Sequence, residues 1–440
     1  MSIPEADRAT YAARRAAVLD KLGPGEAMLL FGARQHIRNG DSEYRYRQLS
    51  DLLYLCGWED PGVAVLLRPD AESPFTMFVQ PKDPDREVWT GVREGPEGAK
   101  ERYGADDAHD YEELQGHLGK LLIGVHTLHY AAGEDPERDR LVLGCLASVR
   151  RTAREALQPL PDAFIHPGRL LHEMRLVKGP WELDRLRRAA AITCEAHLAA
   201  MKLAAPGVRE YELEAFIDYA FRRHGGAGPG YPTIVGGGAN ACILHYITNR
   251  EPLRAGELVL VDAGCEYAWY TADITRTLPV SGRFSSAQRE LYELVLTTEI
   301  EVIEHACPGK ARIKDLHDLA IRRLTQGMVE LELLAGEVDE LIEDKSYRRY
   351  YMHGTSHWLG MEVHDVGSYS ASGSSRLLEP GMVFTVEPGL YVPPDDEEAP
   401  ERFRGIGIRI EDDVLVTEDG PEVLTAACPK TVEDVEEACA

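Results

Sequence analysis

No CxxC pair occurs in the chain, and its eight cysteines stand far apart at positions 56, 145, 194, 242, 265, 307, 428 and 439. That scatter lacks the density of a secreted disulfide scaffold, so they are expected to be reduced and mostly buried thiols. No run of about eighteen apolar residues is present, which excludes an ordinary membrane-spanning helix. The opening MSIPEADRATYAARRAAVLD mixes acids and bases around no apolar segment and does not read as a secretory signal. A cytoplasmic protein is the expectation. Positive charge is also short: 48 Lys and Arg face 74 Asp and Glu, a formal charge of −26. Such a surface is repelled by phosphate backbones and anionic lipid, so neither nucleic acid nor a membrane is an expected partner.

What the chain does have is length and apolar content, 440 residues of which 44% are hydrophobic, enough for two domains with separate cores. Residues 1–175 carry short apolar runs between helical patterns, among them AMLLF at 27–31, GVAVLLRP at 62–69 and FTMFVQP at 75–81. They read as a smaller mixed α/β domain. Gly179-Pro180 then breaks the chain before a helical stretch from Trp181 to Ala204, placing the second domain at 176–440. Two helices (Trp181–Ala204, Tyr211–His224) lead into strand-like runs. The order recurs, with helices at Ser285–His305 and Ile313–Leu334 before the runs around His353, Glu387 and Glu411. This half reads as α+β, helices packed on one side of a largely antiparallel sheet. The acidic runs Asp395 to Glu398 and Glu433 to Glu437 read as solvated loop or tail.

Chemistry concentrates in four segments of that half. In ELVLVDAGCEYAWYTADITRT, a two-residue turn at Tyr267 and Ala268 would set Asp262 directly opposite Asp273. Opposed like charges are destabilising unless a metal or base compensates them, although two aspartates eleven residues apart are by themselves a weak signal. In RGIGIRIEDD, Ile406, Ile408 and Ile410 alternate with Gly407, Arg409 and Glu411, so the isoleucines enter the core while Arg409 and Glu411 share the other face. Glu387 ends the apolar run MVFTVEPGLY just before Pro388 and Gly389. For either glutamate alone, a salt bridge to a base such as Arg409 is the plainer reading. HGTSHWLGMEVHDVG brings three histidines, 353, 357 and 364, into twelve positions, and His245 lies in ILHYITN. HExxH is absent, which leaves a single-zinc protease of that class unsupported. Four carboxylates with one or two imidazoles suit hard divalent ions such as Mn²⁺, and a pair of such ions activates water for hydrolysis.

These motifs resemble those of the pita-bread metallopeptidases (creatinase/aminopeptidase-like fold), and among them Xaa-Pro aminopeptidase, or aminopeptidase P. The resemblance covers nearly the whole chain: DSEYRYRQLSDLLYLCGW, LHEMRLVKGPWELDRLRRAA, LVLVDAGCEYAWYTADITRT, HGTSHWLGMEVHDVG, FTVEPGLY and FRGIGIRIEDD stand in the family's order. It implies an aminopeptidase P N-terminal domain, a pita-bread catalytic domain, and cleavage of the N-terminal Xaa-Pro bond by a dinuclear centre with a bridging hydroxide nucleophile. By resemblance, Asp273 and Glu411 bridge two metals, Asp262 completes one shell, and His357 with Glu387 the other. Glu387 is then also the base. His364 and His245 match histidines that contact substrate and stabilise the tetrahedral intermediate, His353 one lining the proline pocket, and Arg409 and Tyr391 residues that orient the ligands. Two divalent ions are implied, Mn²⁺ first with Co²⁺ or Zn²⁺ as alternatives. So are peptides with proline second and a homodimer or homotetramer. Asp41 and Trp89 lie in motifs compatible with assembly and site closure.

Proline has no N–H and a fixed φ, so a general aminopeptidase that needs a backbone hydrogen bond there cannot seat it, and a shaped pocket must take its place. Xaa-Pro dipeptidase (prolidase) resembles the chain in fold and ligands and differs in the substrate length it accepts. Methionine aminopeptidase would not need the long N-terminal domain. A metal-free binding protein on the same fold, or a creatinase-type enzyme, would lack ligands, and none is lacking here.

Overall fold

The computed structural model describes residues 4–371 and 373–440. The chain divides into two compact units, Met1–His172 and Glu173–Ala440. The first is built on a six-stranded mixed sheet, in spatial order Asp107–Asp110, Phe75–Val79, Ala64–Leu67, Glu26–Phe31, Thr127–His129 and Ala163–Ile165. The three apolar runs of the sequence supply its central antiparallel strands, and the flanking pairs are parallel. Buried Leu29, Phe31, Leu66 and Phe78 pack against Leu114, Leu118, Val142 and Leu146 of the helices. This is the mixed α/β architecture that the alternation of strand-like and helical runs implies.

In the second unit four long helices form where the periodicity places them: Pro180–Leu203, Glu210–Arg223, Ser286–Glu304 and Ile313–Glu330. Pro180 occupies the first turn of its helix, where its missing N–H costs nothing, and Glu182 reaches back to accept the Gly179 N–H at 3.0 Å. Ser285 and Gln288 cap the third helix reciprocally. Among the described residues of this unit every strand pair is antiparallel. Ile234–Gly237, Leu258–Ala263 and Ile274–Pro279 form one sheet, Val383–Val386, Asp412–Thr417 and Gly420–Val423 another, and Gly389–Val392 pairs with Ile406–Arg409. Val259, Val261 and Ile274 pack with the first helix pair, while Phe384, Ile408 and Ile410 pack with the second. Single bridges, Thr275 to Glu411 and Trp358 to Phe384, stitch the pieces together. Ile408 and Ile410 are wholly buried, so truncating either to alanine costs about 2–5 kcal/mol.

Both acidic runs need correction. Glu433–Glu437 is helix, part of Val432–Ala438, with Val432 and Val435 buried, Glu433, Asp434 and Glu437 exposed, and half-buried Glu436 accepting the Phe284 N–H at 3.1 Å. Within Asp395–Glu398, Asp396 is buried. Its carboxylate accepts from Arg349 Nε at 2.9 Å and from the Tyr350 hydroxyl at 2.9 Å. Composition alone hides such an anchor, because one inward acid among outward ones leaves the charge count unchanged.

Candidate metal centre and active site

The hairpin that carries the two aspartates has a different register from the expected one. Its turn lies at Ala268 and Trp269, with φ of +48° and +72°, and Tyr267 pairs with Tyr270. Moving the turn by one residue moves each pairing by two, so Asp262 lies opposite Thr275 and not Asp273. A turn with two positive φ angles is normally announced by Asn-Gly or Asp-Gly, and Ala-Trp gives no such announcement. Asp273 falls in the break between strands Tyr270–Thr271 and Ile274–Pro279. At that break the Ala272 carbonyl comes so close to Gly264 that a Cβ there would stand 1.7 Å from the oxygen. The two carboxylates still meet, as diagonal neighbours. The Tyr231 hydroxyl sits between their Oδ1 atoms, 2.7 Å from that of Asp262.

Arg409 and Glu411 do face the same side, as the alternation of isoleucines requires. The guanidinium bonds Asp262 Oδ2 at 2.6 Å, Thr275 Oγ1 at 3.1 Å and the Tyr391 hydroxyl at 3.0 Å. Its carboxylate partner is thus Asp262 and not a glutamate. Glu411 Oε2 accepts from Thr275 Oγ1 at 2.5 Å. Glu387, at the end of Val383–Val386, has Oε1 3.5 Å from His357 Nε2 and Oε2 3.6 Å from His353 Nδ1.

His357 is the best oriented member. Its Nδ1 lies 3.1 Å from the Trp358 carbonyl oxygen, an acceptor, so in the neutral ring Nδ1 carries the proton and Nε2 presents its lone pair to the carboxylates. Nε2 stands 3.4 Å from Asp273 Oδ2. His364 packs edge-on against it with ring centroids 4.5 Å apart. The neighbouring Asp365 is buried between Arg175 Nη2, at 2.6 Å, and Lys178 Nζ, at 3.1 Å, which pins the segment carrying His364. His353 bonds the Tyr391 hydroxyl at 2.9 Å through Nε2. His245 is exposed and lines the same cleft, of about 530 Å³, as the five carboxylate and imidazole ligand candidates. Tyr391 is buried behind His353 and Arg409.

The charges of this group are strained against one another. Burial pushes Glu387 up to about 7, against the pull of His357 and Arg409. Burial and neighbouring carboxylates push Asp273 and Glu411 up as well. Burial alone would lower His357, but Asp273 and Glu387 raise it to about 9. Burial lowers His353 to about 3, so it is a neutral ring. Asp273, His357 and Glu411 each bring a ligand atom within 4.8 Å of the others'. Four crowded carboxylates and an imidazole whose Nε2 faces them fit hard divalent cations, which would take the place of the Nε2 proton and whose charge offsets the repulsion.

Several supporting residues escape a reading of the sequence. Thr275 holds Glu411, Thr385 Oγ1 accepts the His357 N–H at 3.1 Å, and Asp413 accepts the Asp273 N–H at 3.2 Å. Thr385 and Asp413 each stand two positions from a ligand candidate, Glu387 and Glu411, so the period of two that exposed the ligands could have found them. Tyr231 lies in the irregular GPGYPT loop, where no period applies. In the first unit, Asp41 is exposed between the short strands Ile37–Asn39 and Ser42–Glu43, and Trp89 is 87% exposed on helix Pro84–Thr90.

Residues 184–418 match metallopeptidase family M24, and residues 11–129 match the aminopeptidase P N-terminal domain. The chain is 45% identical to Xaa-Pro aminopeptidase of Escherichia coli over 434 residues, 98% of each chain. Among solved structures it is similar to an aminopeptidase of Pseudomonas aeruginosa, with a TM-score of 0.96, 43% identity and coverage of 100% and 98%. It is also similar to zinc-substituted Escherichia coli aminopeptidase P in complex with product, with a TM-score of 0.94, 43% identity and coverage of 100% and 99%.

Proposed function

The chain belongs to metallopeptidase family M24, and we propose on that premise that it removes the N-terminal residue from peptides whose second residue is proline. The observation that carries this reading is the convergence of Asp262, Asp273, His357, Glu387 and Glu411 on one cleft beside three further histidines. These five residues would hold two divalent ions, Mn²⁺ before Co²⁺ or Zn²⁺, which when bound supply a water acidic enough to ionise near neutral pH and polarise the scissile carbonyl.

The remaining work falls to the chain's own groups. Glu387, at the cleft wall, takes the proton of the attacking water on a carboxylate oxygen and returns it to the proline nitrogen as the C–N bond breaks. His364 and His245 face the same space and donate to the carbonyl oxygen as negative charge builds there. His353, neutral and fixed by Tyr391, forms the wall against which the proline ring rests, with Ile234, Leu244 and Val363 as apolar lining. Arg409 and Tyr391 act as positioning residues, locking Asp262 and His353 into place.

We assign the protein to the cytoplasm, a reading supported by eight free cysteines. No helix among the described residues is long and apolar enough to cross a membrane. A homodimer or homotetramer is supported by Val88, Trp89 and Val92, which are 82%, 87% and 82% exposed together on one short stretch and favour burial against another copy. The deciding experiment compares hydrolysis of an Xaa-Pro-Xaa tripeptide and the matching Xaa-Pro dipeptide, with and without Mn²⁺. Metal-dependent cleavage that favours the tripeptide supports the aminopeptidase. Preference for the dipeptide makes the protein a prolidase, and no cleavage of either overturns the enzymatic reading.

A further inference from the structure

A second group of metal-binding side chains lies in the first unit. His109 lies in the Asp107–Asp110 strand, Glu113 closes the short turn Tyr111–Glu113, and His117 lies on helix Leu114–Leu121. Each brings a ligand atom within 4.8 Å of the other two. We propose that His109, Glu113 and His117 form a binding site for a late first-row divalent cation, zinc foremost, that clips this strand to the helix.

Four observations support the site. Two imidazoles and one carboxylate are a donor set suited to Zn²⁺, unlike the carboxylate-rich cluster of the second unit. The two rings lie side by side against the core: their centroids are 4.4 Å apart, and the fully buried Phe78 packs against His109 at 5.3 Å and His117 at 6.4 Å. His109 already has an outer partner, because its Nε2 lies 3.0 Å from Asp107 Oδ2. Asp107 is itself fixed by Lys100 Nζ at 2.7 Å and the Ala108 N–H at 2.9 Å. A carboxylate on one ring nitrogen orients the other toward a metal and raises its basicity. His109 Nδ1, both His117 nitrogens and the Glu113 carboxylate have no hydrogen-bond partner among the described residues.

Tetrahedral zinc with ligand bonds of about 2.0–2.2 Å sets neighbouring donors about 3.4 Å apart. The three donors therefore need to close by roughly 1.4 Å at most, within reach of side-chain rotation by exposed Glu113 and half-buried His117. The location gives the site a structural consequence. Asp107–Asp110 is an edge strand of the six-stranded sheet, paired on one side only, and a metal joining it to the following helix holds that edge in place. The three donors leave a fourth position for water.

The test is equilibrium dialysis of the full chain against Zn²⁺, comparing the parent with a His109→Ala/His117→Ala double variant. The parent is expected to hold one more zinc equivalent than the variant, while tripeptide hydrolysis after Mn²⁺ loading is the same in both. Glu113→Gln, an exposed change that leaves the fold intact and removes one of the three ligands, is expected to weaken or abolish binding of the extra equivalent and decides the matter where the double variant misfolds. Equal zinc content and affinity in parent and Glu113→Gln, or in parent and a folded double variant, overturns the site.

Discussion

The hydroxyl of Tyr231 lies 2.7 Å from Asp262 Oδ1 and also contacts Asp273 Oδ1, so one phenol spans both aspartates of the cluster. Burial and the surrounding carboxylates push that phenol well above its ordinary value of 10.0, which keeps it a proton donor. A neutral donor shared by two carboxylates fixes their orientation without removing the charge that attracts cations. Tyr231→Phe is therefore expected to keep the fold and weaken metal binding about 10–100-fold. Titrating the metal-depleted variant with Mn²⁺ while following activity reads this directly. Full rescue at high Mn²⁺ is the expected outcome, and a parental titration curve would remove Tyr231 from the site.

Glu387→Gln tests the base. The amide is isosteric, keeps the contact made by Thr385 Oγ1 at 3.4 Å, and cannot accept a proton at neutral pH. Turnover is expected to fall about 10²–10⁴-fold, the usual worth of a positioned acid–base group, with an unchanged circular dichroism spectrum. Activity near that of the parent would remove Glu387 from this role.

His364→Ala separates transition-state stabilisation from ligation. His364 is packed on the ring of His357, and its segment is pinned by Asp365 and not by the cluster. Lower kcat with unchanged bound metal by elemental analysis is the expected result. Loss of metal would make His364 a ligand.

The readable parts of this protein were those governed by periodicity. Apolar spacing placed the four long helices of the second unit within a few residues, because a helix end is set locally by Gly179-Pro180 or by the Ser285 and Gln288 cap. The alternation of Ile406, Ile408 and Ile410 put Arg409 and Glu411 on the cleft face for the same reason. Register was not readable, since the positive φ angles of Ala268 and Trp269 come from the tertiary setting and not from turn-forming residues. Nor was the partner of Arg409. Which carboxylate a guanidinium meets depends on how separate strand pairs cross, and Asp262 arrives from 147 residues away. Tyr231 and buried Asp396 belong to irregular segments, where sequence spacing carries no directional information.

Gly264 marks the break that lets Asp273 reach the cluster. A methyl at this position would meet the Ala272 carbonyl oxygen at 1.7 Å, and that oxygen belongs to backbone, so the strand itself must move. Gly264→Ala is expected to cost about 1–3 kcal/mol, as overpacking does, and to shift Asp273 enough to lose bound metal. Chemical denaturation and elemental analysis of the purified variant check both effects. A variant with parental stability and metal content would show that the break at Ala272 and Asp273 is not what positions the carboxylate.

Asp396 predicts how the second unit responds to acid. Burial alone would raise its carboxyl, but the Arg349 guanidinium and the Tyr350 hydroxyl hold it below the ordinary 3.8. A carboxyl lowered in the folded state binds fewer protons there than in the unfolded chain, so it contributes stability above 3.8. That contribution is lost as the pH falls through 3.8 toward the lower folded value. Asp396→Asn removes the ion pair at every pH, and its melting temperature is expected to lie below that of the parent near neutrality. The gap should narrow as the pH is taken from about 6 to about 3, because only the parent has a carboxylate to protonate at position 396, the other acids being common to both. A gap that stays constant with pH would mean that Asp396 acts through packing and neutral hydrogen bonds, and that its charge does not stabilise the Arg349 anchor.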